Sequence, residues 1–437
     1  MKVKKHHQLK NNSATTLSGV RSLGTLFVFL LVSSFPAQAI PLPETTNPRT
    51  FADWCLNKAN SSWEIKHTVN ALLLEAKTQD CHQAEKLLST RTELSLSGSV
   101  IADLRPLSGL TRLTALNLYL NRIADLKPLS GLTNLTRLTL NNNSIADLTP
   151  LSGLTQLTSL SLNNNKIASL SPLSTLTNLT QLDLYKNQIA DLTPLSGLTQ
   201  LTSLSLSNNQ IADLKPLSSL TNMSVLSLGD NQIASLIPLS GLTQLTSLGL
   251  DNNQIASLSS LSGLTQLTSL TLNNNSIADL KPLSTLTKLG YLSLSKNQIA
   301  DLKPLSTLTN LGYLSLSENQ IASLSPLSRL TNLTDLYLYN NSIADLRPLS
   351  GLTNLIYLYL GDNQIASLSP LSGLTNLARL TLDNNQITDL RPLSGLTKLT
   401  YLVLGNNPSL TDKTCPVKPE SICRLDHDRV ATPSSLK

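Results

Sequence analysis

From residue 93 to about residue 410 the chain repeats one arrangement of apolar and polar positions, Leu-x-x-Leu-x-Leu-x-x-Asn-x-Ile, with three more leucines following at intervals of three. The asparagine falls at Asn121, Asn143, Asn165, Asn187, Asn209, Asn231, Asn253, Asn275, Asn297, Asn319, Asn341, Asn363, Asn385 and Asn407, each 22 residues after the last, without an insertion or deletion. A fixed period of this length overrides a domain count based on chain length and predicts a stack of identical rungs. In the rung around Asn121 the inward set is Leu113, Leu116, Leu118, Ile123, Leu126, Leu129 and Leu132, and later rungs keep the same offsets with rare swaps such as Met223. Between Ala115 and Tyr119 apolar and polar residues alternate, which is the period of a strand, and the translational repeat makes neighbouring strands parallel. Burying seven such side chains falls well short of the entropy of ordering a whole rung, so one rung is not a folding unit and stacking has to supply the rest.

After the strand each rung carries a proline: Pro106, Pro128, Pro150, Pro172, Pro194, Pro216, Pro238, Pro282, Pro304, Pro326, Pro348, Pro370 and Pro392, with Ser260 the exception. Proline fixes φ and removes a donor, so an extended piece followed by a short 3₁₀ turn is expected on the return path in place of an α-helix. The repeated asparagine sits where the chain leaves the strand, and its amide can satisfy backbone groups that the turn leaves unpaired, giving a stacked polar ladder. Asp103, Asp125, Asp147, Asp191, Asp213, Asp279, Asp301, Asp345 and Asp389 alternate with serine at one place in the turn and read as local turn caps.

The stretch Leu113-Thr-Ala-Leu-Asn-Leu-Tyr-Leu-Asn-Arg-Ile-Ala-Asp-Leu-Lys-Pro-Leu-Ser-Gly-Leu132 resembles the 22-residue leucine-rich repeat of bacterial internalins and of the phosphatase-1 regulatory subunit type. The resemblance implies an α/β-type repeat solenoid: a leucine-rich-repeat horseshoe with a parallel sheet on the concave face, extended and 3₁₀ segments on the convex face, and a cap at each end. It also implies a protein-binding concave surface, without naming a ligand.

Outside the array the pattern changes. Residues 1–39 have a basic start, an apolar stretch from Leu23 to Val32 and Ala37-Gln38-Ala39, the three parts of a secretory signal with cleavage near Ala39. Its apolar run is about half the ~20 residues that span a bilayer, and no later stretch is apolar enough, so no integral membrane segment is expected in the mature chain. Leu42-Pro43-Glu44-Thr45-Thr46 resembles a sortase signal but lacks the glycine. Residues 40–92 lose the period, and Trp54, Cys55, Trp63, Val69, Leu72, Leu73, Leu74, Ala84, Leu87 and Leu88 suggest two short helices forming an N-terminal cap in which both tryptophans pack. Residues 93–410 hold fourteen full rungs and a degenerate first one, and residues 411–437 form a C-terminal cap, a compact loop closed by a short disulfide over the last rung, and a polar tail. The four cysteines fall as a pair at each end; because the whole array separates the ends, Cys55–Cys81 and Cys415–Cys423 are the expected disulfides, in keeping with export.

The net charge of +6 suggests an anionic partner until its location is examined. The leader holds Lys2, Lys4, Lys5, Lys10 and Arg21 and no acid; removing these five from the 33 Lys and Arg leaves 28 against 27 Asp and Glu. The basicity belongs to the leader, and nucleic acid is set aside as a partner. His6, His7, His67, His82 and His427 all lie outside the array, and no cysteine lies within it, so the repeats lack the usual general base, nucleophile and metal ligands. One carboxylate per rung is not a calcium loop. No enzyme activity and no cofactor are expected.

What varies freely is the outward set of strand positions. Every tyrosine of the chain falls there: Tyr119, Tyr185, Tyr291, Tyr313, Tyr337, Tyr339, Tyr357, Tyr359 and Tyr401. Seven of the nine lie from Tyr291 onward, whereas the middle rungs present Ser203, Ser205, Ser207, Ser227, Gly229, Ser247, Gly249, Ser269 and Thr271. Tyrosine combines a stiff apolar ring with a polar tip, a combination favoured at interfaces. The candidate ligand-binding set is therefore Tyr291, Tyr313, Tyr337, Tyr339, Tyr357, Tyr359, Arg379 and Tyr401, with a protein as the expected partner. A glycan held on the same tyrosines and a purely structural envelope role are the alternatives. The expected state is a monomer, secreted, periplasmic or on the cell surface.

Overall fold

The computed structural model describes residues 50–425. The leader, the Leu42–Thr46 stretch and the tail from Asp426 lie outside the described residues. Within them a single sheet holds sixteen strands in sequence order, all parallel, from β1 (Glu93–Ser95) to β16 (Cys423–Arg424). Every rung contributes a three-residue strand whose middle leucine is buried and whose flanking residues face outward, as the alternation predicts.

The strands that matter below are β6 (Ser203–Ser205), β7 (Val225–Ser227), β8 (Ser247–Gly249), β9 (Ser269–Thr271), β10 (Tyr291–Ser293), β11 (Tyr313–Ser315), β12 (Asp335–Tyr337), β13 (Tyr357–Tyr359), β14 (Arg379–Thr381) and β15 (Tyr401–Val403). Their register is in step throughout: Tyr291 lies opposite Tyr313, Ser315 opposite Tyr337, and Tyr337 opposite Tyr359. The outward face is therefore a grid with three columns. The first column runs through Tyr291, Tyr313, Asp335, Tyr357, Arg379 and Tyr401. The second runs through Ser293, Ser315, Tyr337 and Tyr359, and the third through Ser295, Ser317, Tyr339 and Gly361.

The repeated asparagine ties each rung to its predecessor. Asn209 Nδ2 donates to the Leu184 carbonyl one rung back at 3.0 Å and to the Leu206 carbonyl of its own rung at 2.9 Å, while its Oδ1 accepts the Ile189 N–H at 3.0 Å. The predicted ladder is thus a ladder through the backbone, since these amides bridge main chains and do not bond to one another. A second line of side chains arises at the residue just before each asparagine. Positions such as Asn142, Asn164, Asn252, Asn274 and Asn384 have φ between 54° and 57°, in the left-handed region that, after glycine, Asn and Asp tolerate best. Here side chains do bond in sequence, as in Asn274 Nδ2 to Asn252 Oδ1 at 2.9 Å and Asn252 Nδ2 to Asp230 Oδ1 at 2.9 Å.

The return path takes the 3₁₀ form, with proline at its second residue, as in Lys127–Leu129. The turn aspartates cap it: Asp147 Oδ1 accepts the Thr149 N–H at 2.8 Å and Asp345 Oδ1 the Arg347 N–H at 2.9 Å. Hydrogen bonding by the side chain two residues on (Thr149, Thr193, Arg347 and Arg391), with these backbone N–H groups second, holds the Asp147, Asp191, Asp345 and Asp389 carboxyls below their usual range.

The ends depart from expectation in three respects. The N-terminal cap has three α-helices, not two: α1 (Phe51–Leu56), α2 (Trp63–Ala76) and α3 (Cys81–Leu88). The short α1 escapes the apolar pattern and is set by a capping box, with Thr50 Oγ1 accepting the Asp53 N–H and Asp53 Oδ2 accepting the Thr50 N–H at 2.8 Å. Trp63 is also not a packing residue; it is 56% exposed and stacks on His67, while Leu74 is 77% exposed and Leu87 is exposed too. The cap docks on the first rungs through Thr68 Oγ1 to the Asp103 carbonyl at 2.7 Å and through His67 Nε2 to the Ser99 carbonyl oxygen at 2.7 Å. Third, the C-terminal cap is more than a loop, because β16 continues the sheet beside β15, with Leu404 N–H donating to the Arg424 carbonyl at 2.9 Å. Both expected disulfides are present, Cys55–Cys81 and Cys415–Cys423.

Candidate functional site on the outward sheet face

Parallel, in-step strands place equivalent side chains about 4.8 Å apart, close to the separation at which aromatic rings stack. The tyrosines use this spacing. Tyr291 and Tyr313 lie 4.1 Å apart between ring centroids at 8°, and Tyr337 and Tyr359 lie 4.6 Å apart at 8°. Tyr313 and Tyr337 join the pairs diagonally, from the first column to the second, at 5.2 Å and 39°. Four rings on four consecutive strands thus form one continuous line.

Face-to-face packing determines what the line can offer a ligand. Each inner ring has its faces against other rings, so it presents an edge and a phenolic tip rather than a flat platform. Burial among the neighbouring rings pushes the Tyr337 hydroxyl up to about 12 and raises that of Tyr313 further, so both are neutral donors at ordinary pH.

In the first column the line passes into a cation–aromatic series. The Arg379 guanidinium lies 5.9 Å from the Tyr357 ring centre and 5.8 Å from that of Tyr401, and Arg424 lies 4.8 Å from Tyr401. Tyr339 stands apart from the ring line. Its hydroxyl donates to Glu318 Oε1, and Glu318 pairs with Lys296 at 3.5 Å. Burial and the Glu318 carboxylate together raise the Tyr339 hydroxyl. Gly361 follows in the same column, where a Cβ would meet Asp383 Oδ1 at 2.7 Å; the missing side chain leaves room for that carboxylate. Burial raises the Asp383 carboxyl, with Asp362 adding to the shift.

All eight residues expected from the sequence, Tyr291, Tyr313, Tyr337, Tyr339, Tyr357, Tyr359, Arg379 and Tyr401, therefore stand on one face, and seven of them join in the stacked and cation–aromatic contacts. Sequence reasoning missed Arg424, which reaches the face only because β16 extends the sheet. It also missed the serines that floor the cavity beside the rings. That cavity, of about 420 Å³, is bounded by Tyr291, Tyr313, Tyr337 and Tyr339 and floored by Ser293, Ser295, Ser315 and Ser317. No group of His, Cys, Asp and Glu able to hold a metal ion is found among the described residues. No helix among them is long and apolar enough to cross a membrane.

The family model for leucine-rich repeats, in two-copy units, matches residues 112–153, 155–197, 199–243, 221–263, 243–285, 265–307, 287–329, 331–373 and 375–414. No curated protein matches the chain by sequence. Among solved structures, an internalin, inlF, of Listeria monocytogenes is 33% identical, with 77% of this chain and 94% of that one covered and a TM-score of 0.65. The functional domain of InlJ of the same bacterium is 26% identical over 82% of this chain and 81% of its own, with a TM-score of 0.67. A leucine-rich-repeat protein of Leptospira interrogans is 27% identical over 79% and 92%, with a TM-score of 0.69. The in-step parallel sheet, the bridging asparagines and these matches agree: the chain belongs to the leucine-rich-repeat family, and its rungs are of the internalin-like kind.

Proposed function

We propose that this is a non-enzymatic recognition module that binds a protein along the outward sheet face between Tyr291 and Tyr401. Leucine-rich-repeat proteins are protein-binding modules, and this reading gives that role a location on the chain. The observation that carries it is the continuous line from Tyr291 through Tyr313 and Tyr337 to Tyr359, flanked by Arg379 between Tyr357 and Tyr401. Stacking holds these side chains rigid before any partner arrives, so little rotamer entropy is lost on binding. Edges and hydroxyl tips suit a protein surface with mixed apolar and polar groups.

The signal-like leader and the disulfides support work outside the cytoplasm, as a secreted, periplasmic or surface protein. Binding as a monomer belongs to the same reading. The test is a quantitative capture of envelope and culture-medium proteins on the immobilised chain, with Tyr337→Ala/Tyr359→Ala run beside the unaltered protein. A protease-sensitive target retained by the unaltered chain and lost by the double variant is the expected result. Equal retention by both, with folding intact by circular dichroism, would overturn the assignment to this face.

A further inference from the structure

Beside the ring line lies a notch of different chemistry. Its floor is a two-by-two block of serines, Ser293 and Ser315 in the second column and Ser295 and Ser317 in the third. All four sides are walled by larger groups. Tyr291 and Tyr313 stand in the first column, Tyr337 and Tyr339 on the next rung, and Lys296 and Glu318 at the turn; Asn273 and Asn274 close the side of the preceding rung.

The hydrogen bonding of this floor differs from that of the rungs before it. In four of those rungs the third-column side chain accepts the backbone N–H of the next rung: Asn141 Oδ1 from Asn163 at 2.7 Å, Asn163 Oδ1 from Tyr185 at 2.8 Å, Ser207 Oγ from Gly229 at 3.0 Å, and Asp251 Oδ1 from Asn273 at 2.7 Å. The last such cap is Asn273 Oδ1, which accepts the Ser295 N–H at 2.8 Å and the Ser293 hydroxyl at 2.7 Å. Ser295 and Ser317 make no such cap to the rung that follows each. Ser295 Oγ and Ser315 Oγ bond to each other at 2.6 Å, and Ser317 Oγ has no partner although the residue is only 3% exposed. A buried hydroxyl left unpaired costs about 1–3 kcal/mol, and native proteins keep few such groups without a use for them.

We infer that the notch is a binding site for one neutral, hydroxyl-rich sugar ring. A hydroxyl pair shares one hydrogen, so Ser295 and Ser315 keep one further O–H between them, within reach of the Tyr313 hydroxyl or of a ligand that displaces it, and each serine keeps acceptor capacity. Donors and acceptors so mixed within one small floor match the vicinal hydroxyls of a pyranose, each of which both donates and accepts. The tyrosine edges supply apolar walls for the ring's C–H groups. Lys296 and Glu318 neutralise each other at the rim, which removes the preference for an acid or an amine that either would create alone. The sugar therefore sits beside the stacked rings and against their edges, since both faces of Tyr313 and of Tyr337 are already occupied. This site stands independently of the protein-binding reading and is tested separately.

Saturation-transfer NMR and calorimetry on the full chain, with glucose, galactose, mannose and N-acetylglucosamine as probes and glucuronate and glucosamine as charged comparisons, provide the test. At least one neutral sugar binds, and better than either charged one. Ser315→Tyr fills the notch with a side chain that the same column already carries at Tyr337 and Tyr359, so the fold accommodates it, and binding disappears. Ser317→Ala keeps the cavity but removes the unpaired hydroxyl, weakening binding about 2- to 10-fold. Tyr119→Ala, far along the face, leaves binding unchanged. The inference is overturned if no neutral sugar binds at tens of millimolar, if a charged sugar binds better, or if Ser315→Tyr, folded by its circular dichroism and melting curve, binds as the unaltered chain does.

Discussion

The rungs of β6–β9 and those of β10–β15 share one backbone and differ in surface. Around Asn209 and around Asn297 the asparagine makes the same set of bonds: Nδ2 to the preceding rung's leucine carbonyl at 3.0 Å in both, and Oδ1 from the isoleucine N–H at 3.0 Å in both. Outward, the first group presents small serines and glycines, and the second a rigid run of tyrosines and arginine. The inward positions specify a fold that is indifferent to what the outward positions carry. Recognition can therefore be written on one stretch of the sheet at no cost to the rest.

The largest expected effect tests the shared half of that comparison. Asn209→Ala and Asn297→Ala each leave an isoleucine N–H without its partner and take one of two asparagine donors from each of two leucine carbonyls, and each should destabilise the array by about 2–3 kcal/mol. Urea unfolding measures both; a difference between them above about 1 kcal/mol breaks the claim that the two regions have one scaffold. Next, Tyr337→Ala/Tyr359→Ala should weaken partner binding by at least about 2 kcal/mol. Ser205→Ala/Ser227→Ala, in the same column of the serine region, should change it by less than about 0.5 kcal/mol. Equal losses in calorimetry would erase the functional contrast. Arg379→Ala removes a guanidinium set between two rings and should cost about 0.5–2 kcal/mol of binding. Arg379→Lys should recover only part of this, because the planar group is lost.

The smallest effect concerns Asp251, in the serine region. Burial raises its carboxyl, against hydrogen bonds from Thr271 and Asn273. A carboxyl raised in the folded state gives a protein more stable below its unfolded value, with that advantage lost as pH rises through the folded value. Asp251→Asn should therefore melt slightly higher than the unaltered chain at pH 7, and the gap should close below about pH 4. A gap that widens on acidification reverses the sign and refutes the assignment.

The contrast between the two regions also marks how far the sequence can be read. Strand positions, parallel pairing, the 3₁₀ return, the bridging asparagine and the aspartate caps all follow from a period of 22 and from the chemistry of single residues. The column in which each tyrosine stands follows as well. Ring orientation does not, since alternation fixes a side chain's face but leaves its rotamer to its neighbours. This is why a platform for stacking and a row of ring edges look alike in sequence. Ser293, Ser295, Ser315 and Ser317 are less visible still: serine in a repeat reads as filler until tyrosines in other columns and on another rung wall it in. The caps escaped in part for a different reason. Helix α1 has six residues, too few to display a helical period, and β16 lies beyond the last repeat.

The bridging asparagine has a consequence for how such a chain can change length. Asn(n) bonds the main chain of the rung before it, and its own rung is bonded in the same way by Asn(n+1). Cutting out 22 residues anywhere in the array rejoins equivalent partners, so the shortened molecule keeps its bonding pattern throughout. Cutting out 21 or 23 shifts the whole downstream pattern against the upstream one. Length is thereby quantised, and recombination between misaligned copies of the gene adds or removes recognition surface in whole rungs, carrying its tyrosines with it as a block.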